Sequence, residues 1–116
     1  MSSLSNLIQI LIAILTIILG AFVIVRPTAI YNFTGLSAGG VRGVTEIRAI
    51  FGGLFVALGA APIMLNAPAA YKMLGIVYIG IAVTRIGSMV NEPCFEKSNL
   101  ISLLSETIFG VLLLLL

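Results

Sequence analysis

The chain has 116 residues, of which 60% are hydrophobic and 9% are charged, and its formal net charge is +2. Soluble domains are about 45–50% apolar and about 25% charged, so this composition excludes an ordinary soluble domain. The mean hydropathy of +1.25 indicates an integral membrane protein made of a single domain.

The residue types also exclude several classes of function. The six basic residues are scattered along the chain, whereas nucleic-acid binding needs a clustered basic surface. A chain with no histidine, one cysteine and four acidic residues lacks the ligands for a structural zinc site or a His-ligated haem. It also lacks the glycine motifs that bind nucleotides. We therefore expect no catalytic, cofactor-binding or metal-binding residues and no nucleic-acid partner.

Four apolar segments reach the length of about 20 residues that a helix needs to cross a bilayer. The flank before the first segment has no basic residue and no small-residue cleavage site follows it, which favours a membrane span over a signal peptide. The sequence thus predicts an all-α fold, an antiparallel four-helix bundle in the membrane. The predicted spans are Leu7 to Val25, Gly43 to Leu65, Ala69 to Val90 and Ser98 to Leu116.

The basic residues predict how the bundle is oriented. With four spans, Arg26, Arg42 and Lys97 fall in connections on one side, with Arg48 just inside the membrane, while Lys72 lies near the other side. Basic residues mark the cytoplasmic side of membrane proteins. We therefore expect both termini on the non-cytoplasmic side.

Four ionisable residues lie inside the predicted spans: Glu46, Arg48, Arg85 and Glu106. The alternating direction of the helices puts all four in the same leaflet, where their charges sum to zero. A single charge at the bilayer centre costs about 2.5–3.5 kcal/mol on insertion scales. This cost predicts an intramembrane salt bridge between Arg85 and Glu106, closed into a cluster by Glu46 and Arg48 from the second helix.

Two residues of this cluster have simpler interpretations. Arg48 lies close enough to a helix end to extend its charge to the headgroups. Glu46, with Thr45 before it as a possible cap, is favoured in the first turns of a helix by the helix dipole.

Small residues recur at every fourth position in the second and third spans. In lipid, helices associate through close backbone approach, which small residues permit. The pattern predicts helix packing inside the bundle, or alternatively an interface with a second chain. The two tracks are Ala49, Gly53, Ala57 and Ala61 in the second span, and Gly80, Thr84 and Ser88 in the third.

The segment TEIRAIFGGLFVALG, from Thr45 to Gly59, resembles the signature of a family of small bacterial membrane proteins catalogued as a domain of unknown function. The resemblance implies four spans, an E-x-R-x-x-[YF]-G-G segment opening the second helix, an arginine late in the third and a glutamate in the fourth. It implies residence in the bacterial inner membrane and no particular activity. The matching positions are Glu46, Arg48, Phe51, Gly52, Gly53, Arg85 and Glu106.

Three classes of function are compatible with this pattern. The first is a structural or accessory protein, partnered by another membrane protein or by copies of itself, that stabilises a larger membrane complex or binds lipid or quinone. The second is a small homo-oligomeric proton-coupled transporter that uses Glu106 and Arg85, because buried ionisable residues mark ion pathways. The third, a membrane enzyme, is disfavoured because Ser102, Ser105 and Cys94 have no oriented base.

Overall fold

The computed structural model describes residues 3–116, which form four long helices and the connections between them. All four helices are long and apolar enough to cross a membrane, so the chain is a multi-pass membrane protein. The predicted all-α fold, a helical bundle, is confirmed. The long helices are α1 (Ser3–Val25), α2 (Val41–Leu65), α3 (Pro68–Asn91) and α4 (Lys97–Leu115).

The helices extend beyond the predicted spans mainly at the start of α1. Its first turn is polar and includes Ser5 and Asn6, yet it continues the same helix. Hydropathy identifies the part of a helix that lies in hydrocarbon, and a helix continues past that boundary into the headgroups.

The connections differ in length and therefore in what they contribute. Asn66, in the left-handed conformation with φ 49°, and Ala67 alone separate α2 from α3. The connection from α1 to α2 is longer and contains a 3₁₀ turn, Pro27–Ile30, followed by one α-helical turn, Tyr31–Thr34. We call the side of the bundle with this longer connection the loop side, and the side where α1 starts and α4 ends the terminal side.

Helix α2 contains a π-helical segment, Arg48–Gly53, between two α-helical parts. A π turn holds an extra residue, so it changes which side chains face the neighbouring helix. This segment covers most of the E-x-R-x-x-F-G-G signature, and such segments are frequent at functional sites.

Helices α1 and α2 approach each other through glycines. A Cβ atom added at Gly20 would lie 2.5 Å from the carbonyl oxygen of Gly52, and one added at Gly59 would lie 2.5 Å from that of Ala13. Both distances are shorter than any carbon side chain tolerates, so the two backbones are in direct contact. Close approach of this kind is the main source of helix association in lipid.

Helices α3 and α4 form a second hairpin with a similar contact. A Cβ atom at Gly75 would lie 3.1 Å from the carbonyl oxygen of Gly110. On the terminal side, the Lys72 Nζ donates a hydrogen bond of 2.9 Å to the carbonyl oxygen of Leu114. This carbonyl belongs to the last turn of α4, where the helix itself supplies no donor.

The predicted small-residue tracks do not lie at these contacts. On α2, Ala61 is half-buried and the other three residues of the track are exposed, and all three residues of the α3 track are exposed. A Cβ atom at Gly80 would meet nothing within 4 Å. Each of these two helices has more than one face of small residues. The contacts of α2 with α1 use Gly52, which lies in the π segment, and Gly59, which lies after it. An interface with another chain stays a prediction.

The two hairpins meet in a buried cluster in the terminal half of the bundle. Tyr78 links them: Thr16 donates its single hydroxyl proton to the carbonyl oxygen of Ile12 at 2.8 Å, so Tyr78 donates to the Thr16 Oγ1 at 2.5 Å. The Tyr78 ring packs edge-on against Phe109, with ring centroids 5.6 Å apart. The buried cluster comprises Ile12, Ala13, Tyr71, Leu74, Tyr78 and Leu113.

Candidate functional site

Arg85 of α3 and Glu106 of α4 form a bidentate ion pair in the loop half of the bundle. The Arg85 Nε donates to the Glu106 Oε1 at 2.8 Å, and Nη2 donates to Oε2 at 2.6 Å. The side chain of Glu106 is 12% exposed and that of Arg85 is 30% exposed. Both carboxylate oxygens are engaged, which is the strongest geometry available to an arginine and a carboxylate.

Asn99 extends this pair to the connection between α3 and α4. The Arg85 Nη1 donates to the Asn99 Oδ1 at 2.9 Å, and the Asn99 Nδ2 donates to the carbonyl oxygen of Cys94 at 3.0 Å. The sequence contains one indication that Asn99 belongs to this site: it lies two helical turns before Glu106 and therefore on the same face of α4. An asparagine in a first turn is too common at helix ends to be singled out from sequence.

The prediction that Glu46 and Arg48 join the cluster of Arg85 and Glu106 is wrong, because both residues have other partners. Glu46 pairs with Arg42, one turn earlier on the same helix, and both side chains are exposed. The Arg48 Nε donates to the carbonyl oxygen of Ile24 at 3.0 Å, near the end of α1. Within residues 3–116, neither Glu46 nor Arg48 forms an ion pair or a hydrogen bond with Arg85 or Glu106.

The reason for this difference is local. An acidic and a basic residue four positions apart on one helix are already neighbours, so Arg42 is the nearest partner for Glu46. The last carbonyl oxygens of a helix lack donors from that helix, so the end of α1 offers Arg48 an acceptor. The charge cluster of the bundle therefore contains two of the four predicted residues.

A cavity of about 250 Å³ opens next to the ion pair on the loop side, between the two hairpins. We call it the Arg85 cavity. Its wall combines hydroxyl, amide and guanidinium groups with two aromatic rings, one from the Tyr31–Thr34 turn and one from the π segment of α2. The residues that define it include Phe33, Phe51, Arg85, Ser98, Asn99 and Ser102.

A larger groove of about 730 Å³ runs along α3 beside this cavity. We call it the α3 groove. It shares Arg85 and Asn99 with the Arg85 cavity, and it contains the predicted small-residue track of α3. Towards the terminal side its wall becomes apolar, with Val77 and Ile81. The groove therefore joins a polar end at the ion pair to an apolar end along the helix.

No curated protein and no solved structure matches this chain. The family model described as "Domain of unknown function (DUF4345)" matches residues 4–116, nearly the whole chain. The chain therefore belongs to the DUF4345 family.

Proposed function

We propose that the chain is a non-catalytic accessory subunit of a larger membrane assembly, bound to its partner through the outer face of α2. We define this α2 outer face by Ala49, Gly53 and Ala57, all of which are exposed. In lipid, exposed large apolar side chains need no partner, but small residues permit a second helix to come close. The observation that carries the proposal is that this small-residue face lies outside the helix contacts formed within residues 3–116.

We further propose that Arg85 and Glu106 form a structural salt bridge inside the bilayer. Pairing removes most of the cost of inserting either charge alone. A proton-coupled transporter, the second candidate, needs a carboxylate that is released and exposed to both sides of the membrane. Here both oxygens of Glu106 accept hydrogen bonds, and the buried apolar cluster of the terminal half includes Ile12, Leu74 and Leu113. This packing supports the structural role over transport.

Purification in a mild detergent from native membranes tests the accessory role, with Gly53→Ile as the variant. We expect the natural chain to copurify with another membrane protein. We expect the Gly53→Ile variant to purify without that protein, because the larger side chain keeps the partner helix away. A Cβ atom at Gly53 has its nearest neighbour at 3.9 Å and the position is exposed, so the substitution introduces no clash at the Cβ atom.

Gly87→Ile is the matched control, since Gly87 is also an exposed helix glycine and a Cβ atom there meets nothing within 4 Å. The control should keep the partner. Purification of the natural chain as a monomer without any other protein would contradict the accessory role, and recovery of additional copies alone would replace it with a homo-oligomer.

We propose that the chain resides in the bacterial inner membrane with its loop side in the cytoplasm. The resemblance to small bacterial membrane proteins supports the first part. The basic residues Arg26, Arg42 and Lys97 on the loop side support the second, because cytoplasmic connections are enriched in lysine and arginine.

Cys94 reports this orientation without any engineering. It is the single cysteine of the chain, it is exposed, and it lies on the loop side between α3 and α4. We expect a membrane-impermeant maleimide to label it after cells are permeabilised but not in intact cells. A chain with Cys94→Ser and Ala67→Cys should show labelling in intact cells. The reverse pattern for both chains would overturn the proposed orientation.

A further inference from the structure

We propose that the Arg85 cavity binds the head of a membrane quinone, with the quinone tail lying in the α3 groove. The cavity and the groove share Arg85 and Asn99, and they use none of the residues of the α2 outer face. The site therefore goes beyond the accessory role and does not depend on it.

The cavity presents hydrogen-bond donors to a ligand. An arginine has five N–H donors, and Arg85 uses three of them on Glu106 and Asn99, which leaves two without a partner among the described residues. The Asn99 amide uses one N–H on Cys94 and keeps a second. Ser98 and Ser102, which each carry a hydroxyl donor, line the same cavity. A head group with carbonyl acceptors matches these donors.

The charge of the site favours a neutral ligand. The guanidinium charge of Arg85 is compensated by Glu106 in the bidentate pair, and the acidic residue Glu96 also lines the cavity. A phosphate head group would bring a second negative charge beside Glu96, and like charges repel in a site of low dielectric. A quinone carries two carbonyl oxygens and no charge.

The shape and the apolar walls favour a planar ring with a long tail. Phe33 and Phe51 line the cavity and offer aromatic faces or edges to a flat ring. The cavity volume of about 250 Å³ is smaller than that of pockets that enclose a whole ligand, which is about 300–1,000 Å³. The cavity thus fits a head group, and Val77 and Ile81 provide an apolar path for the tail along α3.

Titration of the delipidated full-length chain in detergent with decylubiquinone, followed by calorimetry, tests this site. We expect saturable binding by the natural chain and none by Ser102→Leu, because the leucine side chain occupies the cavity. Thr107→Leu is the matched control on the same helix, since Thr107 is exposed and does not line the cavity. It should bind like the natural chain.

A second variant, Phe51→Ala, removes an aromatic ring from the cavity wall at an exposed position. It should weaken the binding of decylubiquinone, while the helicity measured by circular dichroism stays unchanged.

Several results would overturn the proposal. They are the absence of saturable binding by the natural chain, unchanged binding by Ser102→Leu, and equal loss with Thr107→Leu. Saturable binding of a short-chain phosphatidylglycerol that weakens with salt and is lost in Ser102→Leu would assign the site to an anionic lipid instead. The partner test stays separate, because Ser102→Leu should still copurify with the protein bound at the α2 outer face.

Discussion

Replacing Glu106 by glutamine is expected to lower the free energy of unfolding by about 2–3 kcal/mol, because the substitution leaves the guanidinium of Arg85 without a counter-charge. Asn99 keeps its hydrogen bond to Arg85, and this bond offsets a small part of the loss. A neutral hydrogen bond between membrane helices contributes about 0.6 kcal/mol, so the charge determines most of the effect. Unfolding in mixed micelles of mild detergent and SDS measures this difference.

Glu46→Gln is the matched control for this substitution. Glu46 pairs with Arg42 on an exposed surface, where such a pair contributes about 0.2–0.5 kcal/mol. The double variant Arg85→Leu with Glu106→Leu should recover most of the lost stability, since a buried pair replaced by apolar residues is often neutral. Equal effects of Glu106→Gln and Glu46→Gln would contradict the structural role of the Arg85 and Glu106 pair. A proton carrier would instead keep its stability in Glu106→Gln and lose transport.

Replacing Gly59 by alanine is expected to lower the free energy of unfolding by about 2 kcal/mol, a typical cost of overpacking. The new Cβ atom would lie 2.5 Å from the carbonyl oxygen of Ala13, and this atom belongs to the backbone of α1. A flexible side chain would move aside, but a helix backbone moves only if α1 and α2 separate. The clash therefore outweighs the gain of about 1 kcal/mol that alanine brings to a helix interior.

Gly53→Ala and Gly80→Ala are the controls, and they also distinguish the predicted packing tracks from the observed contacts. A Cβ atom at Gly80 meets nothing within 4 Å, and one at Gly53 meets its first neighbour at 3.9 Å. Both variants should be as stable as the natural chain or slightly more stable, because alanine favours the helix. Loss of stability in these controls without loss in Gly59→Ala would contradict the helix contacts described above.

The four helices and the partners of the deepest charges were predictable from sequence for energetic reasons. An apolar segment of about 20 residues has few alternatives to a membrane helix. Arg85 and Glu106 are each costly in lipid, so their pairing follows from matched depth on antiparallel helices. Glu46 and Arg48 lie closer to a helix end, where several acceptors and donors compete, and depth alone does not choose among them.

The packing faces were harder to predict because they depend on register. The π segment Arg48–Gly53 adds a residue to one turn, and nothing in residue size or hydropathy indicates where such a turn occurs. Lipid is as apolar as the bundle interior, so the period of hydrophobic residues does not identify the buried face. The Arg85 cavity depends on the same register, since the π segment carries Phe51 to its wall.

The arrangement as two hairpins has a consequence for biogenesis. The glycine contacts between α1 and α2 need no residue of the later helices, and the second hairpin contains its own contact at Gly75 and Gly110. Each hairpin is thus a self-contained unit for the insertion machinery. The two units are joined by the Tyr78 to Thr16 bond and the apolar cluster around it, so we expect each hairpin to form first and the two hairpins to dock afterwards.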